Sequence, residues 1–296
     1  MRKSPSRRAF EWLCSFPAIF LYTIFLVYPT ISIFLNSGYR WGGLSGKKSF
    51  VGFENFQKLA ADPKFIRAFQ NTVFLMVLVT IVTMACAIIF AAILTGERIR
   101  GQNFFRILFY IPNILSIAVV AAIFAAVYGM DDGLLNGFFR LFHGETWQNT
   151  PFLGQGLVVD SIAFAMIWQA VGYYMVMYMS SMAQIPQQLY EASAIDGAGR
   201  VRQFFDVTLP LSWETIRTTL TFYVISNINI AFQIVRVLTG GGPDGASATL
   251  LNYLYDQAYD NSSYGYGLAI GVVVFLFSFG LTAIINRITK RDVVQY

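Results

Sequence analysis

Six stretches of this chain are long and apolar enough that membrane-crossing helices are the structure they can form. They run approximately 12–35, 70–94, 107–128, 157–182, 214–238 and 266–286. A helix rises about 1.5 Å per residue and the hydrocarbon core of a bilayer is about 30 Å thick, so roughly 20 apolar residues make a crossing. None of the six alternates polar with apolar residues, which argues against the strands of a membrane barrel. Composition agrees, with 56% hydrophobic and 12% charged residues among 296, against about a quarter charged in soluble domains. The expected fold class is an all-α integral membrane protein with six transmembrane helices. No hydrophilic stretch is long enough to add a soluble domain.

The ends and loops set the topology. "MRKSPSRR" before an apolar run resembles a signal peptide. The run from Trp12 to Leu35 is longer than a signal core of about 7–15 residues, and no A-x-A site follows it, so it is read as a retained first span. Basic residues favour the cytoplasmic side. With the N-terminus inside, the inner segments hold Arg2, Lys3, Arg7, Arg8, Arg98, Arg100, Arg106, Arg200, Arg202, Arg287, Lys290 and Arg291. The outer loops 129–156 and 239–265 hold Arg140 against Asp131, Asp132, Glu145, Asp244, Asp256 and Asp260. This predicts a cytoplasmic N-terminus over 1–11, a membrane domain over 12–290 and a cytoplasmic tail over 291–296. The net charge of +5 reads as membrane topology rather than nucleic-acid binding. Outer loop 36–69 breaks the pattern with Arg40, Lys47, Lys48, Lys58, Lys64 and Arg67. An amphipathic helix on the outer membrane surface, with Phe53, Phe56, Leu59 and Ala60 on one face, accommodates it; the competing reading misplaces spans one and two.

Several catalytic readings fail. "GGLSGKKS" has three residues between Gly42 and Gly46 where a phosphate loop needs four, and Lys48 where Ser or Thr would coordinate magnesium. His143 is the single histidine, so no His-based metal cluster is expected. Cys14 and Cys86 fall in apolar runs and read as small hydrophobes. The acidic residues avoid the predicted membrane centre, where an ion relay needs them.

One stretch is unlike its surroundings. "EASAIDGAGRVRQFFDVTLP", Glu191 to Pro210, is small, charged and glycine-punctuated. Pro186 is placed at the first helical position, Gly197 and Gly199 at a left-handed exit, and a second short helix over Arg200 to Phe205. Pro210 then opens the next span. Small Ala192, Ser193, Ala194, Gly197 and Ala198 permit close approach of a partner, and Glu191, Asp196, Arg200, Arg202 and Asp206 supply orienting charge. From the residues alone, a docking surface and a solvated or lipid-held loop remain equal readings.

The stretch resembles the signature of permeases of bacterial binding-protein-dependent ABC importers: Glu-Ala-Ala, three residues, Gly, nine residues, Ile, one residue, Leu-Pro. Here Glu191-Ala192-Ser193, Gly197, Val207 and Leu209-Pro210 keep the spacing, with Ser193 for Ala and Val207 for Ile. "VGFENF", "FFRILFYIP", "DGLLN", "YEASAIDGA" and "LTGGGP" extend the similarity to the maltose, multiple-sugar and glycerol-phosphate branch. The resemblance implies the ABC type I importer fold, with a cytoplasmic coupling helix between spans four and five in the region 186–210. It assigns ATPase coupling to Glu191, Ala192, Ser193, Asp196, Gly197 and Arg200, and a hinge to Leu209 and Pro210. It implies a non-catalytic membrane subunit with no cofactor of its own, and ATP and Mg on two cytoplasmic ABC ATPase subunits. A second permease chain, different by family analogy, and an extracellular solute-binding protein complete the machine.

The transport path should be polar. Ser226, Asn229, Gln233 and Arg236 form one stripe on span five at steps of three, four and three. Gln169 and Tyr173 lead a weaker stripe on span four that continues to Met177 and Ser180. Sugar-hydroxyl bonding and interhelical hydrogen bonding are equal readings for Asn229 and Gln233. Arg236, near the outer end, either snorkels or meets an anionic substrate. An oligosaccharide importer leads; a permease for glycerol 3-phosphate or another anion, and an ion-coupled secondary transporter, are the alternatives.

Overall fold

The computed structural model describes residues 5–43, 46–96, 101–144 and 147–290. Arg2, Lys3, Arg98, Arg100, Glu145, Arg291 and the tail 291–296 lie outside the described residues. The chain divides into two compact units. One comprises 1–62 with 253–276, and the other 63–252 with 277–296.

In the first unit, α1 (Pro5–Tyr22) continues through a π-helical turn at Thr23–Val27 into α2 (Tyr28–Ser37). Within this, Phe10–Ser37 is apolar enough to span, and none of its most apolar stretch is buried against the rest of the chain. A hairpin of β1 (Tyr39–Trp41) and β2 (Lys48–Phe50) follows, with Arg40 opposite Ser49, then α3 (Glu54–Ala61). Asn55 and Leu59 of α3 are buried. The Asn55 amide donates to the Ser37 and Tyr39 carbonyls at 2.7 and 3.1 Å. The face expected to lie on lipid is therefore corrected: Leu59 turns inward, Phe56 is half-buried, and Phe53 and Ala60 are exposed. The basic residues are partly answered within the loop. Glu54 pairs with Arg40 at 2.6 Å and Lys58 at 2.8 Å, and the Lys48 ammonium lies 3.9 Å from the Trp41 ring centroid. The hydrogen bond from Lys58, with the Arg40 charge, holds the Glu54 carboxyl below its usual range. Asp62 accepts from the hydroxyls of Tyr253 and Tyr266. Gly265 lets the chain pass so close to the Tyr39 carbonyl that a Cβ would overlap it. The Gly267 and Gly271 pair packs within the chain, against Ala258 and against Leu254 and Ile33.

The second unit is a helix bundle. α4 (Pro63–Gly96), α8 (Val158–Met182) and α12 (Trp213–Leu238) are long, apolar and mutually packed. At about 1.5 Å per residue each exceeds the 30 Å of hydrocarbon. α8 is the central rod, with 67% of its most apolar stretch buried. Ile162, Met166, Met175 and Tyr178 are fully enclosed along it. α13 (Leu250–Tyr255) and α14 (Tyr264–Ile288) contribute to both units. At the end of α14, the Thr289 carbonyl accepts from the Trp213 indole at 3.0 Å.

The expected third span is corrected. α5 (Gln102–Ile114) and α6 (Ile117–Val127) meet at 101°, so 107–128 is not one straight helix. Neither piece alone reaches across 30 Å at about 1.5 Å per residue. Among the described residues five helices are long and apolar enough to span, and the bent pair is a candidate for a sixth crossing. Leu115 adopts an extended conformation, and the Ser116 side chain caps α6 through the Val119 amide at 3.4 Å. α5 lies hard against α8 at Gly172, where a Cβ would overlap the Phe109 carbonyl. α7 (Leu134–His143) follows α6.

Candidate functional site

Two regions carry the sequence-derived site residues. The first joins α8 to α12. It is built from α9 (Gln187–Ile195), α10 (Arg200–Gln203), a π-helical turn at Phe204–Thr208 and α11 (Leu209–Leu211). Pro186 is the residue before the first helical position rather than in it, with extended ψ of 131°. α9 ends because Gly197 has φ +80. Its amide donates to the Ala194 carbonyl at 3.0 Å and the Ala198 amide to the Ser193 carbonyl at 2.9 Å. These two reversed bonds satisfy carbonyls the helix leaves open, and the left-handed residue between them costs glycine least. Gly199 is corrected: it has φ −71 and starts α10 instead of sharing the exit. The second helix is likewise shorter than expected and passes into the π turn. Pro210 sits in the one-turn α11, before a bend at Ser212 that precedes α12.

This knuckle is tied together by a residue the sequence reading passed over. The Tyr190 carbonyl accepts from Ser193 Oγ at 2.8 Å and Gln203 Nε2 at 3.1 Å. Its hydroxyl meets Thr208 Oγ1 at 3.0 Å. One residue thus links α9, α10 and the π turn. The outer side of the knuckle is open. No residue of α9 is buried, and Ile195, Val201 and Phe205 are 87%, 74% and 57% exposed. Glu191 holds Gln187 at 2.9 Å and Asp206 pairs with Arg202 at 3.1 Å. Glu191, Ala192, Asp196, Gly197 and Arg200 are exposed, with Ser193, Leu209 and Pro210 half-buried.

The second region is a cleft of about 550 Å³ among α5, α8 and α12. Of the predicted path residues, Gln169, Tyr173 and Ser226 line it. Asn229, Gln233 and Arg236 do not. Asn229 and Gln233 are exposed on the stripe beyond it, and Arg236 is half-buried. The cleft also takes Asn113 from the end of α5, with Tyr174, Thr218, Phe222 and Tyr223, which sequence reasoning missed. The signal for Asn113 was Pro112 and Ser116 around it, a proline in the last turn of α5 and the cap of α6, inside an apolar run. None of the lining residues carries a charge.

α12 shows a second polar row at steps of four, Thr215, Thr219, Tyr223 and Asn227, of which Thr219 and Tyr223 form part of the cleft wall. Thr215 donates to Ser181 at 3.1 Å, Thr219 meets the Tyr178 hydroxyl at 2.8 Å, and Tyr223 lies 3.3 Å from Thr83. The Asn227 amide and the Thr80 hydroxyl are buried with no hydrogen-bond partner among the described residues. Thr215, Thr219 and Tyr223 of this row supply the hydrogen bonds that tie α12 to α8 and α4. The Ser226–Asn229–Gln233 stripe is not part of this row.

Against known families, the model of the binding-protein-dependent transport system inner membrane component matches residues 87–292. The chain belongs to that family. It is a multi-pass membrane permease and, as such, a non-catalytic component of its transport system. A probable ABC transporter permease protein of Bacillus subtilis (strain 168) is 34% identical over 88% of this permease and 90% of that protein. The diacetylchitobiose uptake system permease protein of Streptomyces coelicolor is 30% identical over 91% of this chain and 80% of that one. A chain of the bacterial alginate ABC transporter, solved with an alginate pentasaccharide-bound periplasmic protein, superposes with a TM-score of 0.84 at 21% identity, covering 97% of this permease and 96% of that chain.

Proposed function

We propose that this permease is the membrane subunit of an ATP-driven importer that moves an oligosaccharide across the cytoplasmic membrane by alternating access. Its partners are two cytoplasmic ABC ATPase subunits, which hold ATP and Mg, an extracellular solute-binding protein and a second, different permease chain. Both termini are cytoplasmic, as the distribution of basic residues supports. The relative named for diacetylchitobiose uptake supports a sugar cargo.

The observation that carries the substrate class is the uncharged cleft. Amides at Asn113 and Gln169, hydroxyls at Tyr173, Thr218 and Ser226, and the Phe222 ring offer hydrogen bonds and an apolar face, which suits a neutral sugar. A phosphate in that cleft would have no cationic side chain to meet there, which disfavours the glycerol 3-phosphate reading. The second permease is supported by the exposed stripe of Ser226, Asn229 and Gln233, because polar groups at membrane depth belong against protein or water.

In this mechanism Glu191, Ala192, Ser193, Asp196, Gly197 and Arg200 receive the ATPase. The Tyr190 links keep the knuckle rigid, and Leu209 and Pro210 pass the movement into α12. Reconstitution with the partner proteins tests the proposal. ATP-dependent uptake of a neutral oligosaccharide is expected, with no competition from glycerol 3-phosphate. Uptake driven by an ion gradient without ATP, or selective uptake of the anion, would overturn it.

A further inference from the structure

The loop after α6 carries a surface that the transport reading does not use. Leu134, Phe138, Leu141 and Phe142 of α7 are 68%, 54%, 83% and 71% exposed. At 3.6 residues per turn they fall within an arc of about 100° around the helix. The stripe contains no charged or polar side chain.

The helix cannot roll to hide it, because the other side is fixed. Asn136 is fully buried. Its amide donates to the carbonyls of Gly129, Met130 and Thr150, and its oxygen accepts from the Thr150 amide at 2.9 Å and the Trp147 indole at 3.3 Å. Phe139 stacks on Trp147 with centroids 4.9 Å apart, and Leu135 packs on the cluster around Phe124 and Tyr128. Arg140 projects from the opposite side of the helix and donates to the Asp131 carbonyl.

We propose that α7 is an interfacial helix. Its Leu134–Phe138–Leu141–Phe142 face is sunk into the headgroup–acyl boundary of the leaflet from which the loop emerges. The occupant is lipid for two reasons. Six residues separate α7 from α6, half of the bent pair that is the candidate sixth crossing, and Asp131 and Asp132 between them are exposed, which sets the stripe at the level where the bilayer meets water. A partner that binds and leaves would also uncover four large apolar side chains to water at each departure, whereas lipid is always present. The charge-free stripe with Arg140 on the opposite face has the pattern of helices that lie in the interface plane. The sequence suggested such a helix in loop 36–69; the structure places the exposed apolar face here.

Spin labelling of the assembled transporter in lipid vesicles tests this without requiring transport. In a background with Cys14 and Cys86 replaced by Ser, labels are placed by Leu141→Cys, Phe138→Cys and Arg140→Cys, with Phe142→Cys replacing any variant that does not assemble. Collisions with oxygen relative to a water-soluble nickel reagent should be several-fold higher at 141 and 138 than at 140. Equal, water-like accessibility at all three sites would overturn the proposal. So would shielding at 141 that appears only when the solute-binding protein is added, since the surface would then belong to that protein.

Discussion

Replacing Gly172 with alanine should injure this permease severely for the addition of a single methyl group. Gly172 sits in the central helix α8, and the ideal Cβ position is occupied by the carbonyl of Phe109 and crowded by the Tyr110 amide. These are backbone atoms of a helix, so no rotamer change relieves the clash; α5 must move as a body. Overpacking a core typically costs about 1–3 kcal/mol, and rigid backbone neighbours put this case at the upper end. About 3 kcal/mol is roughly a 150-fold change in an equilibrium constant. For a domain of this size it corresponds to a fall in Tm of about 6–12 °C, at roughly 2–4 °C per kcal/mol. The same displacement moves Asn113, which lines the cleft from the end of α5, so uptake should fall even at temperatures where the fold survives. Gly280→Ala is the matched control. It lies within α14 with nothing inside 4 Å of the added methyl, so helix propensity should make it neutral or stabilising by up to about 1 kcal/mol. Thermal unfolding of both variants in nanodiscs, with uptake measured in parallel, checks the argument. If Gly172→Ala melts and transports like Gly280→Ala, the close crossing of α5 over α8 is wrong, and so is the cleft built on it.

Further outcomes follow from the same geometry. Asn229→Leu and Gln233→Leu should reduce transport while leaving monomer stability unchanged, because both side chains are exposed in this chain; loss of the purified fold instead would return them to the role of glue. Tyr190→Phe removes the 3.0 Å bond to Thr208, a change of about 1 kcal/mol, and should raise the ATP hydrolysed per sugar moved; an unchanged ratio would show that knuckle rigidity is not used. Glu54, whose carboxyl is held low by Lys58 and Arg40, should protect the β1–β2 hairpin at neutral pH and lose that effect as pH falls through its lowered range. Protection factors of the hairpin amides, taken relative to intrinsic exchange at each pH, should fall with Glu54 protonation in the native chain and stay level across that range in Glu54→Gln.

Much of this architecture was legible because hydrocarbon imposes it. An apolar run of more than 20 residues leaves few choices, and all six runs correspond to helices, one of them broken. The failures occur where apolarity is uninformative. Residues on both sides of Leu115 are apolar enough to read as one run, so hydropathy passes through a 101° bend that Pro112 and Ser116 mark. On α12 the rows Ser226–Asn229–Gln233 and Thr215–Thr219–Tyr223–Asn227 both satisfy a helical period. Periodicity finds stripes but does not say which faces the core, and the more polar row proved to be the exposed one. The knuckle divides in the same way. Gly197 was readable because a left-handed residue has few alternatives, whereas Gly199 has ordinary φ. Tyr190 was invisible because its importance lies in hydrogen bonds to residues 13 and 18 positions away.

The central claim is that the knuckle between α8 and α12 is a cytoplasmic surface that an ATPase grips. Ile195, 87% exposed on α9, is the position to probe it. In a background free of Cys14 and Cys86, Ile195→Cys should react with a membrane-impermeant thiol reagent in inside-out vesicles and be silent in intact cells. It should also cross-link to the ATPase subunit when the complex is assembled. Labelling of that cysteine from outside intact cells would contradict the account, because the knuckle would then face a compartment with no nucleotide-driven motor.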